Sequence, residues 1–475
     1  MDQNRLPKAV TYLLAGLSAI FFFWWLLTDP TRDFQQSLPG LDNRGGGSGA
    51  NDSVKIGSLF DFYANDFTPL SETWPRFRGA GFDNISTSPV PLIDTFGPKG
   101  ADILWSAELG EGHSGAAIYK GLAYVLDYDE KEQGDFLRCF SLVSGKEQWR
   151  RGYKVHVKRN HGMSRTVPAV TDSFIVTIGP RCHVMCVERL TGNFRWGIDV
   201  EKEYKSEIPL WYTGQCPLVD GHTVVIATGG TALMIGVDLS TGRKIWETPN
   251  PKSWKMSHSS IMPFTFEGRK MYVYSAVGGM VGIAAEGPDT GKILWETNAW
   301  NKTVVAPSPV CLPDGKIFIT AGYGAGSMVF QLKKDGEGFS VSQVAEYKPS
   351  EGLASEQQTP LFWNGHLFGI LPKDGGSLRN QLICVHPSDT RKIVWSSGPE
   401  KRFGLGPFFM ADNKIFLFNE EGTLYILKPS LKGYIESDAV KVIPEGQDAW
   451  APLALADGYL VLRDSKKMVC INIRK

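Results

Sequence analysis

The sequence has no net charge to offer a polyanion, since 50 Lys and Arg stand against 50 Asp and Glu. That balance argues against nucleic acid or an acidic membrane surface as a partner. The seven cysteines include no adjacent pair and no Cys-x-x-Cys-His, so a c-type haem has nowhere to attach. Cys182 and Cys186, with His183 between them, fall around one hairpin without a second ligand pair, and no metal is expected there. No cysteine of the lipid-anchor kind follows the N-terminal apolar run.

What is abundant points to β structure. There are 52 Gly and 28 Pro, as expected where many short strands are joined by turns, and 42% apolar residues to build a core. The one long apolar run is at the start, "AVTYLLAGLSAIFFFWWLL", residues 9–27, without a charge. At ~1.5 Å per residue it spans about 28 Å, enough for a bilayer core, and Trp24 and Trp25 suit its interface. A signal peptide would have a shorter apolar core and a small-x-small cleavage site, whereas "TDPTRDF" follows here. Arg5 and Lys8 precede the run, and Asp29 and Asp33 follow it. The expected order is a cytoplasmic N-terminus (1–8), a single inner-membrane anchor (9–27), a flexible tether (28–72) containing "GGGSG", a lead-in segment (73–100) and an extracytoplasmic domain (101–475).

Within that domain one phrase recurs. "DLSTGRKIW" ends at Trp246, and variants end at Trp149, Trp196, Trp295 and Trp395, with Trp105 as a further copy. From Trp105 to Trp295 the interval is about 44–50 residues, enough for four short strands and their turns, the size of one propeller blade. Two units lack the Trp, with "GFSVSQVAEY" near Val344 and "YIESDAVKVI" near Val440 in its place. The last segment supplies three strands and no fourth, and "ADILWSAEL" supplies a fourth without the other three. Together they make an all-β, eight-bladed propeller closed by its N-terminal strand. The Gly-His…Trp-Asp pairing of WD40 repeats and the Gly-Gly doublet of kelch repeats are missing.

The pattern Asp-x-x-Thr-Gly-x-x-x-Trp at Asp238, Thr241, Gly242 and Trp246 resembles the tryptophan-docking repeat of pyrroloquinoline-quinone (PQQ)-type eight-bladed propellers. "TWPRFRGAGFDNIS", residues 73–86, is similar to a Trp-Pro-x-Phe-Arg-Gly segment of many bacterial members. The superfamily includes quinoprotein alcohol dehydrogenases and the propeller lipoprotein of the outer-membrane barrel-assembly machinery. The resemblance therefore implies a fold and leaves enzyme and scaffold both open.

The phrase itself reads as structure. Gly145, Gly192, Gly242 and Gly291 supply turns of positive φ, Asp238 or Ser240 bonds its own turn, and each Trp offers area and one N–H to bridge blades. Six residues before those glycines stand Cys139, Cys186, Gly236 and Ala285, with Cys384 and Cys470 in matching strands. Four cysteines thus read as small core residues in separate blades, and few or no disulfides are expected.

Function has to lie in the irregular loops. Connections 151–165, 200–214, 250–260, 298–307 and 350–359 are long, on the face opposite the short turns. Lys154, Lys158, Arg159, His161 and Arg165 form a basic cluster. His113, His161 and His258 stand near the starts of innermost strands, and Trp211, Tyr212 and Trp254 add aromatic surface. The expectation is a non-enzymatic module whose long-loop face docks a protein, acidic or anionic in character, with no cofactor and no catalytic residue. The alternative is a PQQ- and Ca²⁺-dependent dehydrogenase or a propeller that binds a small ligand.

Overall fold

A computed structural model describes residues 5–27, 54–336 and 338–475. The chain divides into two compact units, Met1–Asn51 and Asp52–Lys475. In the first, a helix covers Arg5–Leu27. Its window Val10–Leu27, with mean hydropathy 1.9, is long and apolar enough to cross a membrane. Of the expected tether, residues 28–53 lie outside the described residues.

The second unit is eight antiparallel sheets, each built on strands that are neighbours in sequence except at the seam, with blade 1 widened to six strands by two from the chain ahead of the ring. Blades 2 to 7 take four consecutive strands each, from Ala169–Val170 to Glu436–Lys441. Blade 8 combines Ala454–Ala456, Tyr459–Arg463 and Lys467–Asn472 with the distant strand Asp102–Glu108. The ring therefore closes through the pairing of Asp102 to Asn472 and Glu108 to Lys467, as the strand count requires. Among the described residues its core consists of seven apolar clusters, six between neighbouring blades and one continuous through blades 7, 8 and 1.

The repeated phrase joins blades. Trp105, Trp149 and Trp196 donate Nε1–H to the carbonyls of Leu142, Leu190 and Leu239 in the next blade at 2.8, 3.1 and 2.9 Å. Their rings cover the turn glycines Gly145, Gly192 and Gly242, and Trp246 likewise covers Gly291. Trp395 reaches the Ser430 carbonyl at 2.8 Å. Trp295 differs, since the next blade has no such turn, and its N–H points to Met271 Sδ in its own blade at 3.2 Å.

Each outer strand carries a bulge next to its Trp, for example between Cys139 and Phe140 and between Gly236 and Val237. It bends the strand so that the indole can cross to its neighbour. The bulge also fixes the register of the small residues. Trp149, Trp196, Trp395 and Trp105 pair with Cys139, Cys186, Cys384 and Cys470. In blade 4 the partner of Trp295 is Gly282 rather than Ala285, because the longer Gly-Pro-Asp-Thr turn upsets the count of six. In the two blades without Trp the equivalent positions are Ala345 and Asp438, not Val344 and Val440. Asp438 there accepts the Phe96 amide at 2.7 Å, so it holds the lead-in segment instead of docking.

The tether expected up to residue 72 ends earlier. Leu59–Phe62 pairs with Glu147–Lys154 as an extra outer strand of blade 1, and Arg150 is ion-paired to Asp61 at 2.6 Å. The chain then crosses the axis. Thr73 and Trp74 pair with the inner strand of blade 1, and the Pro75 carbonyl accepts from Val170 of blade 2 at 2.8 Å. Arg76 donates to Val219 of blade 3 at 3.0 Å. Arg78 donates to Thr359 of blade 6 at 3.1 Å, and the Asn84 carbonyl accepts from the Met410 amide of blade 7 at 3.0 Å. In an eight-blade ring, blades 2 and 3 face blades 6 and 7, so residues 73–86 bridge opposite walls and close the channel from the short-turn side.

Candidate functional site

Above that plug the channel opens into a cavity of about 570 Å³ on the long-loop face, with Phe77 of the plug in its wall. Several of the lining residues occupy one repeated position, four residues before an innermost strand. His113, Arg165, His258, Gln357 and Trp450 hold it in blades 1, 2, 4, 6 and 8. Two residues further on, a belt of bonds ties the blades together at the same height. The amides of Val167, Cys216, Ser260 and Ser308 donate to Cys216 Sγ, Ser260 Oγ, Ser308 Oγ and Thr359 Oγ1 at 3.2, 3.0, 3.1 and 2.9 Å. The belt satisfies buried amides and fixes the heights of the side chains that line the cavity. It also gives Cys216 a role as an acceptor that the blade register left unexplained.

The wall has two characters set at right angles. His113 packs against Trp450 with ring centroids 4.8 Å apart and planes tilted by 32°, on blades 1 and 8. Facing them, Trp211 stacks on Tyr323 at 5.4 Å and on His258 at 6.4 Å. Across the other diameter, Arg165 of blade 2 faces Glu356 of blade 6. Burial, and then the field of Arg165, lowers the imidazole of His113 to about 3 and that of His258 to about 4, so both are neutral at pH 7. Burial lowers Arg165 to about 10 and raises Glu356.

Arg165 Nη2 donates to the carbonyls of Asn160, His161 and Gly162 at 3.0, 2.7 and 3.1 Å, while its Nε is buried without a partner. The indole N–H of Trp211 is equally unpartnered. The mouth is held in unusual backbone. His161, Trp211, Tyr212, Tyr323 and Asp448 have φ of +50°, +61°, +73°, +56° and +50°. Left-handed conformations in bulky residues store strain and concentrate at functional sites. Next to the cavity, sharing His113 and His161 as a ridge, runs a polar groove of about 470 Å³ lined by Glu111, Arg159, Asp448 and Lys466.

The sequence-predicted residues part company here. His113, His161, Arg165, Trp211 and His258 meet in the cavity. The expected basic cluster is dispersed: Arg159 is paired with Glu111 at 2.6 Å, Arg165 turns inward, and Lys154 and Lys158 are exposed outside both cavities. Tyr212 supports the loop, its hydroxyl donating to the Lys158 carbonyl at 2.7 Å. Trp254 is not a surface residue. It is buried over Gly278 and Gly279, where an added Cβ would lie 2.3–2.5 Å from its ring. Sequence reasoning missed Trp450, Gln357, Glu356 and Tyr323. The first two follow from counting four residues back from each inner strand, and Tyr323 stands in a Gly-rich turn, "AGYGAG". Among the described residues no three His, Cys, Asp or Glu come together as a metal-binding group.

A family model described as "Outer membrane protein assembly factor BamB" matches residues 133–336. Solved structures share the fold. A europium-containing methanol dehydrogenase has a TM-score of 0.59 at 10% identity, covering 86% of this chain and 99% of its own. The quinohemoprotein alcohol dehydrogenase of Comamonas testosteroni has 0.56 at 12%, covering 86% and 82%. BamB from Moraxella catarrhalis has 0.49 at 13%, covering 78% and 97%. No curated protein matches the chain. The PQQ-like, eight-bladed architecture inferred from the repeats is thus the architecture observed, and at these identities the likeness is one of fold.

Proposed function

We propose that this protein is a membrane-tethered scaffold whose long-loop face binds another protein, without chemistry of its own. The observation that carries the reading is the cavity just described: blind below, open on one face and rimmed by aromatic residues in strained backbone. The match to a family described as an assembly factor supports it. Arg5 and Lys8 in the first turn of the helix, ahead of its apolar run, and Asp29 and Asp33 after it, favour a cytoplasmic N-terminus at the inner membrane with the propeller outside the cytoplasm.

The dehydrogenase alternative asks for PQQ and Ca²⁺, and the residues present do not fit them. Ca²⁺ takes six or more oxygen ligands, several of them carboxylate. The cavity wall offers Glu356 and Asp374, and Asp374 already accepts the Gly324 amide at 2.8 Å. A tricarboxylate would meet only two cations in this wall, Arg165 and Lys373.

The test is face-specific crosslinking in the full-length chain. A photo-crosslinker at Tyr323, which is 60% exposed on the long-loop side, is expected to capture one protein species. The same group at Asn364, on a short turn of the other face, is expected to capture none. Equal capture from both positions, or none from Tyr323, overturns the reading.

A further inference from the structure

We infer that the cavity is a receptor for the C-terminal end of a partner polypeptide, taking its α-carboxylate on Arg165 and its last, aromatic or large apolar side chain between the two ring walls. The inference rests on the scaffold reading and names the chemistry of its contact.

Four observations lead there. First, Arg165 is a part-buried cation without a counter-ion. Among the described residues no carboxylate pairs with it, and its three hydrogen bonds go to backbone carbonyls. A guanidinium that is partly withdrawn from water, with its Nε fully enclosed, gains from an anion that reaches it. The acids of the lining, Glu356 and Asp374, stand on the opposite wall with Lys373, so the lining balances in charge overall while its positive end is at Arg165.

Second, two buried donors in the wall, Arg165 Nε and Trp211 Nε1, have no acceptor. Other buried donors are also unpartnered, among them Arg76 Nε and Trp300 Nε1, but these two belong to side chains that line an open cavity where an acceptor has access. A carboxylate has two oxygens to offer them.

Third, the walls are flat and apolar. His113 and Trp450 face His258, Trp211 and Tyr323 across the axis, and both imidazoles are neutral at pH 7. Such a slot suits a ring or a large aliphatic side chain.

Fourth, the occupant has somewhere to continue. The plug blocks the axis below, so only the long-loop side is open. There the cavity runs over the His113–His161 ridge into the polar groove lined by Glu111, Arg159, Asp448 and Lys466. An isolated small carboxylate would leave the groove empty. A chain end would lay its preceding residues along it, its amides and carbonyls meeting charged and amide side chains.

The probes are an acetylated tetrapeptide, acetyl-Gly-Ser-Gly-Phe, with a free C-terminal carboxylate, the same peptide as its C-terminal amide, and free 3-phenylpropanoate. Binding to the full-length protein in detergent is read from indole fluorescence and calorimetry. The carboxylate peptide is expected to bind at least tenfold more tightly than its amide. It is also expected to bind at least tenfold more tightly than 3-phenylpropanoate, which fills the slot but not the groove.

Arg165→Gln is expected to abolish the preference for carboxylate over amide. Because Arg165 also holds the loop at His161, Trp211→Phe serves as a second variant. It keeps the wall, removes one donor, and is expected to narrow the preference severalfold. Equal binding of peptide and amide overturns the carboxylate site. Equal binding of the peptide and 3-phenylpropanoate overturns the polypeptide as occupant and leaves a small-carboxylate site. A partner captured from Tyr323 alongside equal peptide and amide binding would sink this inference while leaving the scaffold reading intact.

Discussion

At the scale of single residues, the cavity holds imidazoles that stay uncharged where free histidine would protonate. His258 takes a proton at about 4 instead of its ordinary 6.5, because burial and the nearby Arg165 disfavour the cation. In the unfolded chain the proton binds near 6.5, so His258 contributes nothing above about pH 7 and destabilises the fold as pH falls from 6.5 toward 4. At pH 5 the effect is about 2 kcal/mol. Urea midpoints at pH 7.5 and pH 5 are expected to drop less for His258→Gln than for the unmodified protein. Asp135, raised to about 7 by burial, acts in the opposite sense between 3.8 and 7, but it is common to both proteins and cancels in the difference. Residue by residue, the sequence identified those histidines by their position before inner strands. It could not show that Arg165 turns inward while Arg159 turns to Glu111, because both sit in one basic run and differ only in the loop's path. Nor could it show Trp254 buried, since that needs the two glycines twenty-odd residues later to come beneath it.

Among elements, the outer strand with its bulge, its Trp and the next blade's turn is the repeated joint. Gly242 has φ of +71° and an added Cβ would meet the Trp196 ring at 2.6 Å, whereas Gly221 has φ of +58° and nothing within 4 Å. Gly221→Ala is therefore expected to cost only the strain of a Cβ in left-handed backbone, about 1 kcal/mol, and Gly242→Ala about 3 kcal/mol, because it adds a clash with a packed indole. Chemical denaturation of the two variants separates the terms; equal losses would mean that the Trp–Gly contact carries no load. This joint was legible because each copy repeats the same residues at the same spacing. Ala285 was misplaced, and the positions near Val344 and Val440 could be given only to within a residue or two, since a bulge or a longer turn shifts the count without changing composition.

For the molecule as a whole, the sequence supplied the number of blades and the closing strand, both of which follow from counting. It left unread the path of residues 54–86, which have no period and draw their structure from long-range contacts. Arg78 is the clearest case: a buried guanidinium donating to the carbonyls of Phe82, Asp83, Thr359 and Pro360 at 2.8, 3.2, 3.1 and 3.3 Å. Arg78→Met keeps the bulk and orphans those carbonyls, an expected loss of about 3 kcal/mol. Hydrogen exchange should then quicken at the Val170 and Met410 amides, which the crossing segment holds from opposite sides of the channel. Unchanged exchange at both would show that the segment is seated by other contacts.

The same crossing segment sets the order in which the domain would yield to force. A pull arriving at Val54 from the N-terminal side first meets the four-residue strand Leu59–Phe62 on the outer edge of blade 1. Next in series is the span anchored to blades 1, 2, 3, 6 and 7, and only behind that lies Asp102–Glu108, the strand that seals the ring. Tension is taken by a short peelable strip and then by a bar braced across the hub. The seam holding first and last blades together is the final member in the load path, so the ring stays closed while its mooring is strained.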